Sequence, residues 1–357
     1  MTRVTMMGMT TARRCSVERS FLAAHEQARG KAGRNTSAGA SNDQLRSTPL
    51  KSATLICFWL LVAASSAFSQ ALPPAAPTTA WADFDRSQAY ATEKLAKSPR
   101  RREWVTITSA NRKLGAWVIY PNVKGKRPVV LVLHEVWGLT DSTINTGDEI
   151  AAMGYIAIVP DMLSGYGPNG GGTRSFPDPK ASQAVLDLLE DKDVYPDLEA
   201  WADYGDSLPA AAKDGFAMVG MTWGAGAAFR YAVTAPRKDL KAVFVFCVAG
   251  PPVYNQGPSH HGKKINDFVI AKTDVPVYGF YGSKDNTPTA DSPVQLSLPA
   301  TRAAMAAAGD VYEPVIYDGA EHSFQRVGEL PNATLDNALA AKQSLLLIQM
   351  LLKATFK

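Results

Sequence analysis

The sequence Gly220-Met221-Thr222-Trp223-Gly224 lies between an apolar run at 216–219 and an alanine-rich, helix-like stretch at 225–232. This pattern predicts a buried strand, a tight turn and a helix. The glycines on either side of Thr222 let the backbone adopt a strained turn that larger residues would obstruct. Such a turn, called a nucleophile elbow, exposes the side chain at its tip. The sequence therefore predicts that the Thr222 hydroxyl is presented for chemistry.

Apolar runs and helical patterns alternate along the chain from about residue 104 to residue 353. We expect eight strands and six helices there, preceded by a short amphipathic helix near 83–97. Several strands are continuously apolar, as expected when helices cover both faces of a parallel sheet. The pattern predicts an α/β domain with a mostly parallel, doubly wound sheet, helices on both faces and an antiparallel pair at the N-terminal edge.

Composition and charge are those of an ordinary globular protein. The 357 residues are 46% hydrophobic and 20% charged, with a net charge of +4. Nine of the 37 basic and three of the 33 acidic residues lie before residue 53, which leaves 28 basic and 30 acidic residues in the rest of the chain. The folded part is therefore slightly acidic and gives no reason to expect a nucleic-acid partner.

The N-terminal region resembles an export signal. Lys51 precedes an uncharged apolar stretch at 53–64 and a small-x-small site at Ala67 and Ser69, which is typical of a signal peptide. The stretch is short for a membrane span of about 20 residues, although an uncleaved anchor is the alternative. We expect a leader or misassigned start at 1–50, a signal peptide at 51–69, a linker and helix at 70–101, and the main domain at 102–357. The mature protein is then periplasmic or secreted, with no stable membrane span.

After such a cleavage Cys247 is the remaining cysteine, so the mature domain is expected to contain no intramolecular disulfide. Its apolar surroundings indicate a core residue. The pair His260-His261 lies in an insertion at about 251–274, and a polar loop explains it better than a metal site because no carboxylate or cysteine follows at ligand spacing. No metal is expected.

Two polar sites follow later strands. Asp285 comes after the apolar run 277–281, and His322 comes after 311–317. The order nucleophile, acid, histidine at strand ends is that of hydrolases with a nucleophile elbow. Asp285 would orient the imidazole of His322, and the imidazole would take the proton of Thr222.

These motifs, together with the segments 128–139, 154–163 and 319–326, identify a resemblance to the dienelactone hydrolases from about residue 102 to residue 353. The resemblance implies an α/β-hydrolase fold, no cofactor, and hydrolysis of a small-molecule ester or lactone through a covalent acyl-enzyme. The family's acid and histidine match Asp285 and His322. Its cysteine nucleophile falls on Thr222, and a glutamate that exchanges a proton with the resting thiol matches Glu135.

The resemblance also implies further roles. The backbone N–H groups of Val136 and Trp223 would form the oxyanion hole. Arg326 matches an arginine that binds a substrate carboxylate, and Arg174 is a second candidate contact, although a solvated loop charge explains Arg174 equally well. The side chains of Trp137, Trp223 and Phe324 are candidates for an apolar acyl pocket, with core packing as the alternative.

The departure from the family lies at the nucleophile. An alcohol must lose its proton to a base during attack, whereas a thiol is intrinsically nucleophilic, so the proton exchange of Glu135 loses its purpose. Two interpretations stay open: an esterase or lactonase that uses Thr222, and a non-catalytic protein that binds a small carboxylate in the same pocket. A monomer is expected in either case.

Overall fold

The computed structural model describes residues 4–6, 80–109, 111–234, 236–248, 269–285 and 294–357. The chain divides into two compact units, one at Thr11–Ala82 and one formed by Met1–Thr10 with Asp83–Lys357. The elements below belong to the second unit, except for the first turn of helix α1. The apolar stretch at 53–64 and the pair His260-His261 lie outside the described residues.

The strands are β1 Val4–Met6, β2 Arg102–Ser109, β3 Arg112–Ile119, β4 Arg127–Leu133, β5 Ile156–Pro160, β6 Ala211–Met221, β7 Leu240–Phe246, β8 Val277–Gly282 and β9 Tyr312–Tyr317. The helices are α1 Ala80–Lys97, α2 Asp141–Ala152, α3 Pro179–Leu186, α4 Asp191–Ser207, α5 Trp223–Thr234, α6 Val294–Ala308, α7 Phe324–Val327 and α8 Leu335–Thr355. No helix among the described residues is both long enough and apolar enough to cross a bilayer.

The strands form one sheet in the order β1-β9-β8-β7-β6-β4-β5-β3-β2. The six strands from β9 to β5 in that order are parallel to their neighbours. β2 and β3 form an antiparallel hairpin that joins β5 at the edge, and β1 pairs antiparallel with β9 at the opposite edge. The predicted mostly parallel α/β sheet with an antiparallel pair at its N-terminal edge is confirmed.

Two helices begin earlier than the apolar pattern predicts. Helix α4 starts at Asp191, seven residues before the predicted start at Leu198, and a capping box of Glu190 and Asp193 satisfies its first turn. Helix α6 starts at Val294 and continues through Pro299, whereas the apolar pattern predicts a start near Ala300. In α4 the first turns are polar, so hydrophobic periodicity carries no signal there.

Helix α1 packs on the edge of the domain by the side that carries Phe84, Ser87, Ala91 and Leu95, all of which are buried. The last turn of this helix is held by Lys94, whose Nζ lies 2.8 Å from Glu149 and 2.9 Å from Glu329. The amphipathic helix expected near 83–97 therefore spans Ala80–Lys97, and it brings Phe84 and Ser87 to the site described next.

Candidate active site

Thr222 occupies the turn between β6 and α5, at the carboxyl end of the parallel sheet. Its φ is +46°, a left-handed conformation that β-branched residues rarely adopt. The turn is tight because Gly224 touches the neighbouring strand end: a Cβ on Gly224 would lie 2.6 Å from Leu133 Cβ and 2.7 Å from His134 O. A Cβ on Gly220 would overlap the carbonyl oxygen of Gly224. The two glycines therefore permit the elbow, as the sequence predicts.

The structure brings together the three residues expected to form a triad. The Thr222 hydroxyl oxygen lies 3.5 Å from His322 Nε2. On the other side of the ring, His322 Nδ1 donates to Asp285 Oδ2 at 2.9 Å. Asp285 is almost fully buried, whereas the His322 side chain keeps about a quarter of its surface exposed. Asp285 can therefore fix the ring with Nε2 directed at the hydroxyl, which leaves Nε2 able to accept a proton.

The segment expected to supply the oxyanion hole is fixed by His134, a residue that the sequence analysis did not single out. His134 Nε2 accepts the Met162 N–H at 3.1 Å, so the proton of the neutral ring lies on Nδ1, which donates to Glu135 O at 2.8 Å. Because a trans peptide unit is planar with its C=O and N–H antiparallel, the N–H of Val136 points away from His134. The His134 side chain thus sets the direction of one predicted oxyanion donor.

His134 also joins this segment to the elbow. Its ring stacks on the Trp223 indole at 5.6 Å, and its carbonyl accepts the Gly224 N–H at 3.1 Å. Complete burial lowers the pKa of His134 below its ordinary value of 6.5, although the negative charge of Asp161 partly opposes that shift. The ring therefore stays neutral at physiological pH, in the protonation state that both of its hydrogen bonds require.

Glu135 is buried beside the triad and is paired with Arg326. Arg326 Nε lies 3.3 Å from Glu135 Oε1, which also accepts from Gln325 Nε2 at 3.3 Å. Arg326 Nη1 donates to Ser87 Oγ at 2.8 Å, and the guanidinium lies 5.6 Å from the centre of the Phe84 ring. Helix α1 thus helps to hold the arginine. The predicted binding of a substrate carboxylate by Arg326 stays a prediction, and it would require the guanidinium to share its charge between Glu135 and the ligand.

Two aromatic side chains predicted as pocket candidates lie in the core instead. Phe324 is fully buried against Phe246 and Tyr317, with ring centres 5.9 and 5.2 Å apart, and it does not line an open pocket. The Trp223 indole is also fully buried, and its Nε1 donates to Leu186 O at 3.3 Å. The core-packing alternative is therefore correct for both side chains, while the role of the Trp223 backbone N–H stays a prediction.

The other two substrate-binding candidates are open to solvent to different degrees. Trp137 is partly buried and meets Phe84 edge-on, with ring centres 5.6 Å apart, so it lies beside the arginine held by α1. Arg174 is exposed on a short 3₁₀ turn at Thr173–Ser175. Trp137 therefore remains a candidate for the pocket wall, and the position of Arg174 fits a solvated charge as well as a contact.

Cys247 is buried, as expected for a core residue, but it lies next to the predicted triad. It follows the carboxyl end of β7 with a φ of +65°, and its Sγ accepts the Ser323 N–H at 3.3 Å. Burial, reinforced by the negative charge of Asp285, raises the pKa of the thiol well above its ordinary value. The thiol is therefore protonated and poorly suited to act as a nucleophile.

A nucleophile elbow at the carboxyl end of a parallel sheet, with an acid and a histidine after later strands, defines an α/β-hydrolase fold. The model of the dienelactone hydrolase family matches residues 114–356. The chain belongs to the dienelactone hydrolase family.

Individual relatives are more distant. A Synechocystis protein named "Putative carboxymethylenebutenolidase" is 25% identical over 197 residues, which cover 53% of this chain and 74% of that protein. A Bradyrhizobium protein named "Probable 2-oxo-3-(5-oxofuran-2-ylidene)propanoate lactonase" is 26% identical over 237 residues, which cover 66% of this chain and 86% of that protein. The solved structure of a Klebsiella pneumoniae protein named "Putative Dienelactone Hydrolase" matches with a TM-score of 0.56 and 25% identity, over 72% of this chain and 98% of that one.

Proposed function

We propose that the protein hydrolyses carboxylic ester or lactone bonds through a covalent acyl-enzyme on Thr222. The observation that carries this proposal is the alignment of the Thr222 hydroxyl, the His322 ring and the Asp285 carboxylate, at 3.5 and 2.9 Å. Membership of the dienelactone hydrolase family and the lactonase name of the Bradyrhizobium relative support the choice of bond.

In the proposed acylation, Thr222 Oγ1 attacks the acyl carbon as its proton passes to His322 Nε2. The Asp285 carboxylate stabilises the imidazolium that forms. The oxyanion accepts hydrogen bonds from the backbone N–H groups of Val136 and Trp223, where each donor contributes about 2.7–4 kcal/mol. Trp223 is the first residue of α5, so the helix dipole adds to this stabilisation.

In the second half of the reaction, the tetrahedral intermediate collapses, and the leaving alkoxide takes the proton from Nε2. Water then attacks the acyl group on Thr222, gives its proton to Nε2 and releases the acid, after which the proton returns to Thr222.

The test is to isolate the acyl-enzyme. The full chain is incubated with p-nitrophenyl acetate and with simple lactones, quenched in acid and mapped by peptide mass spectrometry. We expect the acyl group on the peptide that contains Thr222, and we expect Thr222→Ala to lower turnover by at least about 10³-fold. Thr234→Ala, at the far end of the same helix, serves as the matched control. Unchanged turnover in Thr222→Ala would exclude this mechanism.

A second candidate function is non-catalytic binding of a small carboxylate by Arg326 in the same pocket. This candidate is favoured by the distance of 3.5 Å between Thr222 Oγ1 and His322 Nε2, and by the positive φ of Thr222, which is a β-branched residue. A parent protein without measurable hydrolysis, together with a large gain of hydrolysis in Thr222→Cys, would support this candidate. Acyl transfer to Thr222 in the parent would reject it.

We also propose that the mature protein is exported, on the basis of the apolar stretch at 53–64 and the small residues after it. N-terminal sequencing of the protein recovered from its native cell checks this. A mature chain that begins near residue 70 supports export, and an intact Met1 rejects both cleavage and the start-site hypothesis.

A further inference from the structure

Three side chains of different chemistry converge beside the elbow. A ligand atom from each of Cys247, Asp285 and His322 lies within 4.8 Å of the other two. They come from separate parts of the fold, after β7, after β8 and after β9, whose carboxyl ends meet at one edge of the sheet. A thiolate, an imidazole nitrogen and a carboxylate oxygen are the three ligand types that Zn²⁺ uses in proteins.

We propose that these three residues form a binding site for a soft divalent cation such as Zn²⁺, and that the bound cation switches hydrolysis off. The binding site stands on the geometry alone, whereas the inhibition rests on the function proposed above. The site is regulatory, so it is separate from the expectation that catalysis needs no metal.

The distances suit a single ion after a small adjustment. A tetrahedral ion with bonds of about 2.1 Å holds two such ligand atoms about 3.4 Å apart. His322 Nδ1 and Asp285 Oδ2 are 2.9 Å apart, so the two atoms must separate by about 0.5 Å to bind one ion. The thiolate bond is about 2.3 Å long, and a shift of about 1 Å in the Cys247 side chain brings Sγ into range. The ion would take the place of the proton that His322 and Asp285 now share.

The surroundings favour a site with three protein ligands and one open position. Cys247 and Asp285 are almost fully buried, and the His322 side chain is the partly exposed member that faces solvent. The Ser323 hydroxyl is buried without a hydrogen-bond partner in the described part of the chain, and the N–H of the same residue binds Sγ. The Ser323 hydroxyl oxygen is therefore available to accept a hydrogen bond from a water molecule bound to the ion.

Inhibition follows from the proton balance. The cation replaces the thiol proton of Cys247, which leaves to solvent. It also displaces the proton from His322 Nδ1, and the ring stays neutral by carrying that proton on Nε2 instead. A ring with a proton on Nε2 has no lone pair there for the hydroxyl proton of Thr222, so the attack cannot start. A cation bound on the Asp285 side of the ring therefore disables the base without touching Thr222.

The binding is tested with Co²⁺ as a coloured substitute for Zn²⁺. Cys15 and Cys57 are replaced by serine in the full chain, so that Cys247 is the single thiol. We expect a thiolate-to-Co²⁺ charge-transfer band that Zn²⁺ abolishes by displacement. Cys247→Ser, which keeps a hydrogen-bond acceptor for Ser323, should lose the band and at least about 100-fold in affinity, because even outer partners of metal ligands contribute 10–100-fold. The absence of the band from the parent, or an unchanged affinity for Co²⁺ in Cys247→Ser, overturns the proposal.

Two further variants keep the result interpretable. Thr222→Ala removes the proposed nucleophile but no ligand, so it should bind Co²⁺ normally whether or not the parent hydrolyses esters. If Cys247→Ser does not fold, Asp285→Asn replaces it and should weaken binding as well. In an active parent, Zn²⁺ should abolish ester hydrolysis, and Cys247→Ser should resist the same Zn²⁺ concentration. Equal inhibition of both proteins would show that Zn²⁺ acts elsewhere.

Discussion

Replacing Thr222 with serine keeps the hydroxyl and removes the methyl group that stiffens it. In the present structure the oxygen lies 3.5 Å from His322 Nε2, whereas proton transfer proceeds across a hydrogen bond of about 2.8 Å. The oxygen must therefore move by about 0.7 Å toward the ring. Rotation about χ1 is the cheapest way to do so, and χ1 is the angle that the β-branched side chain resists.

The size of the effect follows from this movement. A C–O bond carries its oxygen about 0.7 Å when χ1 turns by about 30°, and a side chain that far from its rotamer costs about 0.5–1.5 kcal/mol. Serine has less steric restriction at χ1 and avoids most of that cost. Since 1.36 kcal/mol corresponds to a factor of ten in rate, Thr222→Ser should raise the rate of acylation by about 2–10-fold.

The assay is the pre-steady-state burst of p-nitrophenol release, which reports acylation alone. Thr234→Ser is the matched control: Thr234 lies at the other end of α5, roughly 18 Å away at 1.5 Å per residue, and its hydroxyl donates to Arg230 O at 2.7 Å. We expect no change of rate there. A Thr222→Ser protein that acylates as slowly as the parent would refute the idea that χ1 stiffness limits the reaction.

Three further predictions concern the scaffold of the site. Burial lowers the pKa of His134 in the folded protein, whereas the unfolded chain takes up a proton on this residue below about pH 6.5. The contribution of the neutral ring to stability is therefore complete above that pH and is lost on acidification. In urea unfolding at pH 7, 6 and 5, the free energy of unfolding should decline by up to about 2 kcal/mol less in His134→Gln than in the parent. Gly224→Ala should lower the free energy of unfolding by about 1–3 kcal/mol, because its Cβ would lie 2.6 Å from Leu133 Cβ, and a melting temperature equal to that of the parent contradicts this. Glu135→Gln should cost about 3 kcal/mol in urea unfolding by leaving the buried charge of Arg326 without its partner, and the loss should shrink when Arg326→Gln is added.

The residues of the site that could be predicted from the sequence are those that follow the ends of strands. Continuous apolar runs mark the parallel strands, and the carboxyl ends of parallel strands meet at one edge of a sheet. Thr222, Asp285 and His322 could therefore be placed together without any knowledge of side-chain directions. The structure agrees, with the three residues linked at 3.5 and 2.9 Å.

The missed features depend on side-chain direction and long-range contact. Phe324 lies two residues after His322, but Ser323 between them has a φ of +55°, and this turn sends the Phe324 ring into the core. The contact of Ser87 with Arg326 joins residues 239 positions apart, and no local pattern signals it. For Cys247 the apolar surroundings correctly predicted burial, but they could not show that the residue just past the strand end faces the triad.

The buried carboxylate of Glu135 is paired with Arg326 in a chain whose predicted nucleophile is an alcohol. The resemblance to enzymes with a thiol nucleophile implied that Glu135 would exchange a proton with that thiol, but residue 222 of this chain is a threonine. An alcohol keeps its own proton at neutral pH until the moment of attack and needs no such partner. Here Glu135 Oε1 accepts from both Gln325 and Arg326, and Arg326 is held in turn by Ser87 of helix α1. The Glu135 carboxylate therefore positions the Arg326 guanidinium, and Arg326 connects this carboxylate to helix α1 through Ser87.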